Sequence, residues 1–257
     1  MRPPVCILRT DGTNCDVETA YAFEKCGAAP RLVHVNELRD GSRRLGDYGV
    51  LVIPGGFSYG DDVHSGKILA VELTSFLRDA LLEFTARGRP VLGICNGFQV
   101  LVRTGLLPYA RLGEISATLM ANDSGRFECR WVRMRIEGRS IFTRGAEGRT
   151  VTYQVAHGEG KFHTSAAVLK SLEDGGQVVF RYVGPDGAPT GAYPDNPNGS
   201  VNAIAGLADP SGLILGLMPH PERSVEPTQH PNWRRGEGGD PDGLPVFRNA
   251  VRYAREI

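Results

Sequence analysis

The sequence predicts an α/β protein on an open, mostly parallel sheet with helices on both faces, and with antiparallel strands added in its second half. Two observations carry this. Short apolar runs at 5–8, 48–53 and 91–94 alternate with stretches of helical periodicity, and strands with no polar face are covered on both sides, as in parallel sheets. Beyond residue 127, strand-like segments follow one another with little helical pattern between them.

Taken in order, residues 5–8 (VCIL) form a strand, and the turn cluster 11–14 (DGTN) caps a helix over about 15–26. A second strand covers 32–35. The third, 48–53 (YGVLVI), stops at Pro54, Gly55 and Gly56. Apolar residues from Ile68 to Phe84 recur at helical spacing, which predicts one helix over 62–86. The run 91–94 then turns through Cys95, Asn96 and Gly97 into an apolar helix start. In the second half, 127–136, 150–156 and 178–183 read as strands, and 184–200 is a long Gly/Pro/Asn/Asp loop of the kind that carries function. Residues 201–207 and 213–218 make a hairpin about the turn 209–212. A polar, Gly-rich excursion at 229–243 precedes a closing amphipathic helix, 244–255. With no repeat and no clean linker, 1–257 is expected to be a single domain, with its core at about 5–226 and a C-terminal extension and helix at 227–257.

Composition narrows the function. Lys+Arg and Asp+Glu are both 29, a formal net charge of zero, which argues against nucleic acid or membrane held by bulk electrostatics. No apolar run approaches the ~20 residues of a membrane helix, and the start MRPPVCIL is too short for a signal peptide. Cys6, Cys15, Cys26, Cys95 and Cys129 are odd in number and contain no CxxC pair. Free thiols in a cytoplasm are therefore expected, and no metal site. No GxxxxGK[ST] phosphate loop occurs, since Lys67 is followed by Ile68 and Lys161 by Phe162.

The chemistry concentrates in two stretches. In 90–102 (PVLGICNGFQVLV) the spacing Gly93, Cys95, Gly97 fits a nucleophile elbow, in which a tight strand-to-helix turn exposes one side chain. The glycines alone leave two readings open, an elbow or a buried structural cysteine. In 218–223 (MPHPER), His220 and Glu222 are two apart, so in extended geometry they project to one side and the carboxylate can hold the imidazole. Together, Cys95, His220 and Glu222 make a Cys–His–carboxylate triad. His34, His64, His157, His163 and His230 lack a comparable arrangement and are expected to be surface or satisfied core histidines.

These two stretches resemble the class I (triad-type) glutamine amidotransferases, a flavodoxin-like fold. More narrowly, 12–16 (GTNCD), 54–61 (PGGFSYGD), 122–127 (NDSGRF), 157–160 (HGEG) and 196–200 (NPNGS) are similar to the glutaminase subunits of phosphoribosylformylglycinamidine synthase. The likeness runs over about 5–226. His64 departs from it, standing where an arginine is commoner, and so does the length of 229–243. The resemblance implies that the Cys95 thiolate attacks glutamine and that His220 protonates the departing ammonia. Glutamine binding would fall to Gly55, Gln99, Arg126 and Phe127, and oxyanion donors would come from the backbone at Gly56 or Phe57 and at Asn96. A plain turn at Gly55 and a mere strand start at Arg126 and Phe127 remain open. No cofactor is expected in this chain. ATP and magnesium would belong to a large synthetase partner, assisted by a small third subunit, which converts formylglycinamide to formylglycinamidine ribonucleotide. The arginines from 126 to 149 are either part of that docking face or a solvated strand face. Service to another synthetase, or a non-enzymatic regulatory role, are the alternatives.

Overall fold

The computed structural model describes residues 1–235 and 240–257. In chain order the elements are β1 (Pro4–Arg9), α1 (Asp16–Lys25), β2 (Ala29–His34), α2 (Val35–Arg39), β3 (Val50–Ile53), α3 (Lys67–Ser75), α4 (Arg78–Ala86), β4 (Val91–Ile94) and α5 (Asn96–Thr104). The second half adds β5 (Ala117–Met120), β6 (Glu128–Ile136), β7 (Thr150–His157), β8 (Lys161–Thr164), α6 (Ala166–Asp174), β9 (Val178–Tyr182), β10 (Ile204–Ala208), β11 (Ile214–Leu217) and α7 (Leu244–Glu256).

Nine strands form one sheet in the order β2-β1-β3-β4-β11-β10-β9-β6-β7. The pairs from β2 to β11 are parallel and those from β11 to β7 antiparallel. β3, β4 and β11 are buried at every position, as their unbroken apolar sequences require. β6 and β7 alternate instead, and their outward positions carry Arg133, Arg135 and Thr152. A single hydrophobic cluster runs through both halves. α7 buries Leu244, Val246, Phe247, Ala250 and Val251, with Phe247 edge-on to Phe23 of α1 at 5.1 Å. Burying one such ring fully contributes about 1.5–3 kcal/mol.

The placement of β11 matters most. The chain reaches it last among the strands, yet it lies beside β4 in register, with Leu217 opposite Ile94. The turns that follow both strands therefore open on the same sheet edge, where ligands of such sheets bind.

Several sequence expectations are corrected. The helix expected over 62–86 is two, α3 and α4, and 62–66 belongs to the turn before them. Apolar periodicity could not show the break, because Leu69, Leu73, Leu77, Leu81 and Phe84 are buried on both sides of it. Phe76, counted in that stripe, is exposed and lies under the Arg39 guanidinium at 4.1 Å. α6 was hidden because only Leu172 of it is buried, although Ser165 caps it, accepting from Val168 N at 3.3 Å. The antiparallel pair β5–β8 joins four-residue strands far apart in sequence. Of the 229–243 excursion, 236–239 lie outside the described residues.

Candidate active site

Cys95 sits at φ 51°, ψ −104° between β4 and α5, a backbone region that non-glycine residues adopt only where the surroundings enforce it. Two glycines make the turn possible. A Cβ on Gly97 would stand 1.8 Å from Ile53 O, and one on Gly93 2.6 Å from Gly97 O. Neighbouring backbone closes the elbow, with Cys95 N donating to Leu217 O at 2.8 Å. The Cys95 Sγ lies 3.6 Å from Ala156 O and is all but buried.

His220 follows β11, and its N–H donates to Gln154 O at 2.8 Å. Pro221–Arg223 is one turn of 3-10 helix, rather than the extended backbone that the two-residue spacing suggested. That turn brings Glu222 Oε1 to 2.6 Å from His220 Nδ1. With Nδ1 held by the carboxylate, Nε2 has no hydrogen-bond partner among the described residues, which leaves that nitrogen free to exchange a proton with a substrate. Burial opposes the imidazolium, but Glu222 and then Cys95 outweigh it and hold His220 well above the ordinary value. The arrangement suits a nucleophile, a proton carrier and an orienting carboxylate.

β7 and the turn after it brace both sides of this site. Gln154 O holds His220, Ala156 O faces the thiol, and Glu159 O accepts from Gln99 Nε2 at 2.6 Å. Beneath lies a buried polar network. Asn122 Oδ1 accepts from Gly160 N (3.0 Å) and from His157 Nδ1 (3.1 Å), while Asn122 Nδ2 donates to the carbonyls of Arg126 and His157. Asn198 Oδ1 accepts from Ser200, so its Nδ2 faces His157 Nε2 at 3.5 Å and Tyr182 Oη at 3.2 Å. These amides assign the proton of His157 to Nδ1. Burial, with the neighbouring His220, pushes His157 down to about 4, so it is a neutral, satisfied core histidine.

The profile of the CobB/CobQ-like glutamine amidotransferase domain matches residues 2–254. The chain belongs to that family. It is 46% identical to the phosphoribosylformylglycinamidine synthase subunit PurQ of Dehalococcoides mccartyi, over 98% of this chain and 97% of that one. It is 41% identical to the subunit of the same name from Methanococcus maripaludis, over 98% and 97%. Among solved structures it superposes on a chain of PurLQS from Thermotoga maritima with a TM-score of 0.75 and 33% identity, covering 98% of this chain and 99% of that one. The glutaminase domain of Trypanosoma brucei CTPS, at 15% identity and a TM-score of 0.61 over 99% and 94%, shares the fold.

For a glutamine amidotransferase, the other expected site residues fall into four groups. Gly55 is at the centre, since a Cβ there would meet His220 Cε1 at 2.8 Å and Cys15 Sγ at 3.0 Å. Of the expected oxyanion donors, Phe57 N–H is committed to Gly12 O at 2.9 Å. Gly56 lies at the centre of a bridge to Thr13 whose bonds flank it, so its own N–H points away from that segment. Asn96 N–H is the first of α5 and has no acceptor within the helix. Gln99 uses both ends of its amide inside the protein, on Glu159 O and Asn96 Nδ2, so it ties α5 to the 158–160 turn. Arg126 and Phe127 are exposed at the rim, Phe127 beside Phe57 with ring centroids 6.3 Å apart. His64 is exposed and 3.9 Å from Glu159. Arg130, Arg133, Arg135 and Arg149 pair with acidic groups of this chain.

Sequence reasoning passed over Cys15, Arg223 and the amides of Asn122 and Asn198. Each lay in a stretch that carried the resemblance, but nothing in its local spacing assigned it a partner.

Proposed function

We propose that Cys95 attacks the carboxamide carbon of glutamine as the thiolate, that His220 hands its proton to the departing ammonia, and that water activated by His220 then hydrolyses the γ-glutamyl thioester. Glu222 keeps the imidazole in the tautomer and orientation this requires. Gly56 and Asn96 supply the N–H groups for the oxyanion, and Phe57 serves only after giving up Gly12 O. The observation that carries this reading is the 2.6 Å His220–Glu222 pair set beside a cysteine at positive φ on the same sheet edge.

The relatives of 46% and 41% identity are named as subunit PurQ of phosphoribosylformylglycinamidine synthase, and this chain is the glutaminase subunit of that synthase. It passes ammonia to the large synthetase subunit, with the small subunit completing the complex. ATP and magnesium are assigned to the large subunit and the assembly to the cytoplasm. No helix among the described residues is long and apolar enough to cross a membrane. Free ammonia is mostly protonated and non-nucleophilic at neutral pH, so hydrolysis is coupled to the partner. The test is a glutaminase and synthesis assay on the complex. Cys95→Ala abolishes glutamine-dependent synthesis, while ammonium salts still support the large subunit. Survival of glutamine-dependent synthesis in that variant overturns the assignment.

A further inference from the structure

A second cysteine lies close to the same imidazole. Cys15 precedes α1, and its buried Sγ lines the same space as the His220 ring: a Cβ on Gly55 would lie 3.0 Å from Cys15 Sγ, 2.8 Å from His220 Cε1 and 3.4 Å from Nδ1. Glu18, one turn into α1, reaches the same place. One ligand atom each from Cys15, Glu18, His220 and Glu222 lies within 4.8 Å of every other. Cys15, His220 and Glu222 are buried, and Glu18 is partly exposed.

Two further observations point to a cation. Glu222 Oε2 is buried with no hydrogen-bond partner among the described residues, so the carboxylate has a vacant acceptor where such groups are normally satisfied. The cluster also already holds a positive group. Arg223 Nε donates to Glu18 Oε1 at 3.0 Å, Nη2 to Cys15 Sγ at 3.2 Å and Nη1 to Gln154 Oε1 at 3.2 Å. The guanidinium, itself partly exposed, stands in for a cation on this thiol and this carboxylate.

We propose that Cys15, Glu18, His220 and Glu222 form a zinc site whose occupation disables the hydrolase. One thiolate, one imidazole and two carboxylates are a donor set that zinc takes in tetrahedral geometry. Bonds of about 2.0–2.3 Å imply ligand separations of about 3.5 Å, so the widest of the present separations, at most 4.8 Å, must narrow, while Glu222 releases the 2.6 Å hydrogen bond to His220. Arg223 swings outward to admit the ion. Zinc displaces the proton of the Cys15 thiol, which now faces Asn14 Oδ1 at 3.2 Å, and the proton that Nδ1 of His220 shares with Glu222. Both go to solvent. The imidazole is then pinned by the metal and can no longer become the imidazolium that protonates ammonia.

The binding experiment stands apart from the amidotransferase reading, and only the inhibition experiment rests on it. Zinc is titrated by calorimetry into the full chain and its variants. The expected result is one ion per chain, weakened at least ~10-fold in Cys15→Ser and also weakened in Glu18→Gln, whose partly exposed side chain makes misfolding a poor explanation. Cys95→Ser binds zinc like the parent. Cobalt substitution gives a sulfur-to-metal absorption band in the parent and in Cys95→Ser, but none in Cys15→Ser. In the complex, zinc inhibits the parent glutaminase, whereas Cys15→Ser turns over glutamine and resists zinc. Unchanged zinc affinity in both Cys15→Ser and Glu18→Gln overturns the site. Loss of binding in Cys95→Ser also overturns it, by placing the ion on the nucleophile instead.

Discussion

The two halves of the sheet hold the candidate active site by different means. On the parallel side Cys95 is fixed by backbone and by the absence of side chains: Gly93 and Gly97 leave room for Ile53 O and for the elbow itself. On the antiparallel side the bracing turn is fixed by side-chain amides and a neutral histidine, namely Asn122, Asn198 and His157. Steric fixing does not titrate, whereas a buried polar network responds to pH. The two halves should therefore fail differently.

The largest effect is expected where they meet. Glu222→Gln keeps the shape but removes the charge that sustains the imidazolium, and loss of the equivalent orienting carboxylate in a serine triad costs about 10⁴-fold in kcat. Burial then dominates at His220, its pKa falls, and the alkaline limb of the rate–pH profile moves to lower pH. A variant with an unmoved alkaline limb would detach Glu222 from His220. Next comes the steric half. Gly97→Ala forces a Cβ to 1.8 Å from Ile53 O, so a loss of at least about 3 kcal/mol in urea unfolding is expected, independent of pH. A smaller loss would show that β3 yields.

The polar half is broken by His157→Gln. Folding depresses His157 from 6.5 to about 4, so the stability it contributes is present above 6.5 and is lost as pH falls through about 4. That contribution is at most about 3 kcal/mol. Unfolding of parent and variant at several pH values should show a shallower acid slope in the variant, and equal slopes would mean that the network does not depend on the neutral ring. The smallest effect belongs to neither half. The exposed pair Glu83–Arg87, 2.5 Å apart on α4, should contribute only about 0.3–0.5 kcal/mol by a double-mutant cycle.

The triad was legible in the sequence because each part is local. An elbow needs small residues on either side of the nucleophile, and a carboxylate two residues from a histidine can reach it through one tight turn. The alternation of buried strands and helices was legible for the same reason, since periodicity reports which faces are covered. What the sequence did not reveal were α6, with a single buried residue, the break between α3 and α4, and the β5–β8 pair. Nor did it reveal the amide partners of Gln99, Glu159 O and Asn96 Nδ2, because those depend on which groups the fold brings to it.

By itself, then, the sequence brought out the cysteine turn, the His220–Glu222 pair and the parallel core, all properties of contiguous residues. Only the tertiary structure decided what else surrounds the imidazole. Cys15 has no metal-binding spacing, and it meets Arg223 across 208 residues of chain because β11 inserts beside β4 and carries its turn back to the start of α1. Strand order, which no local pattern encodes, placed a second thiol on the histidine.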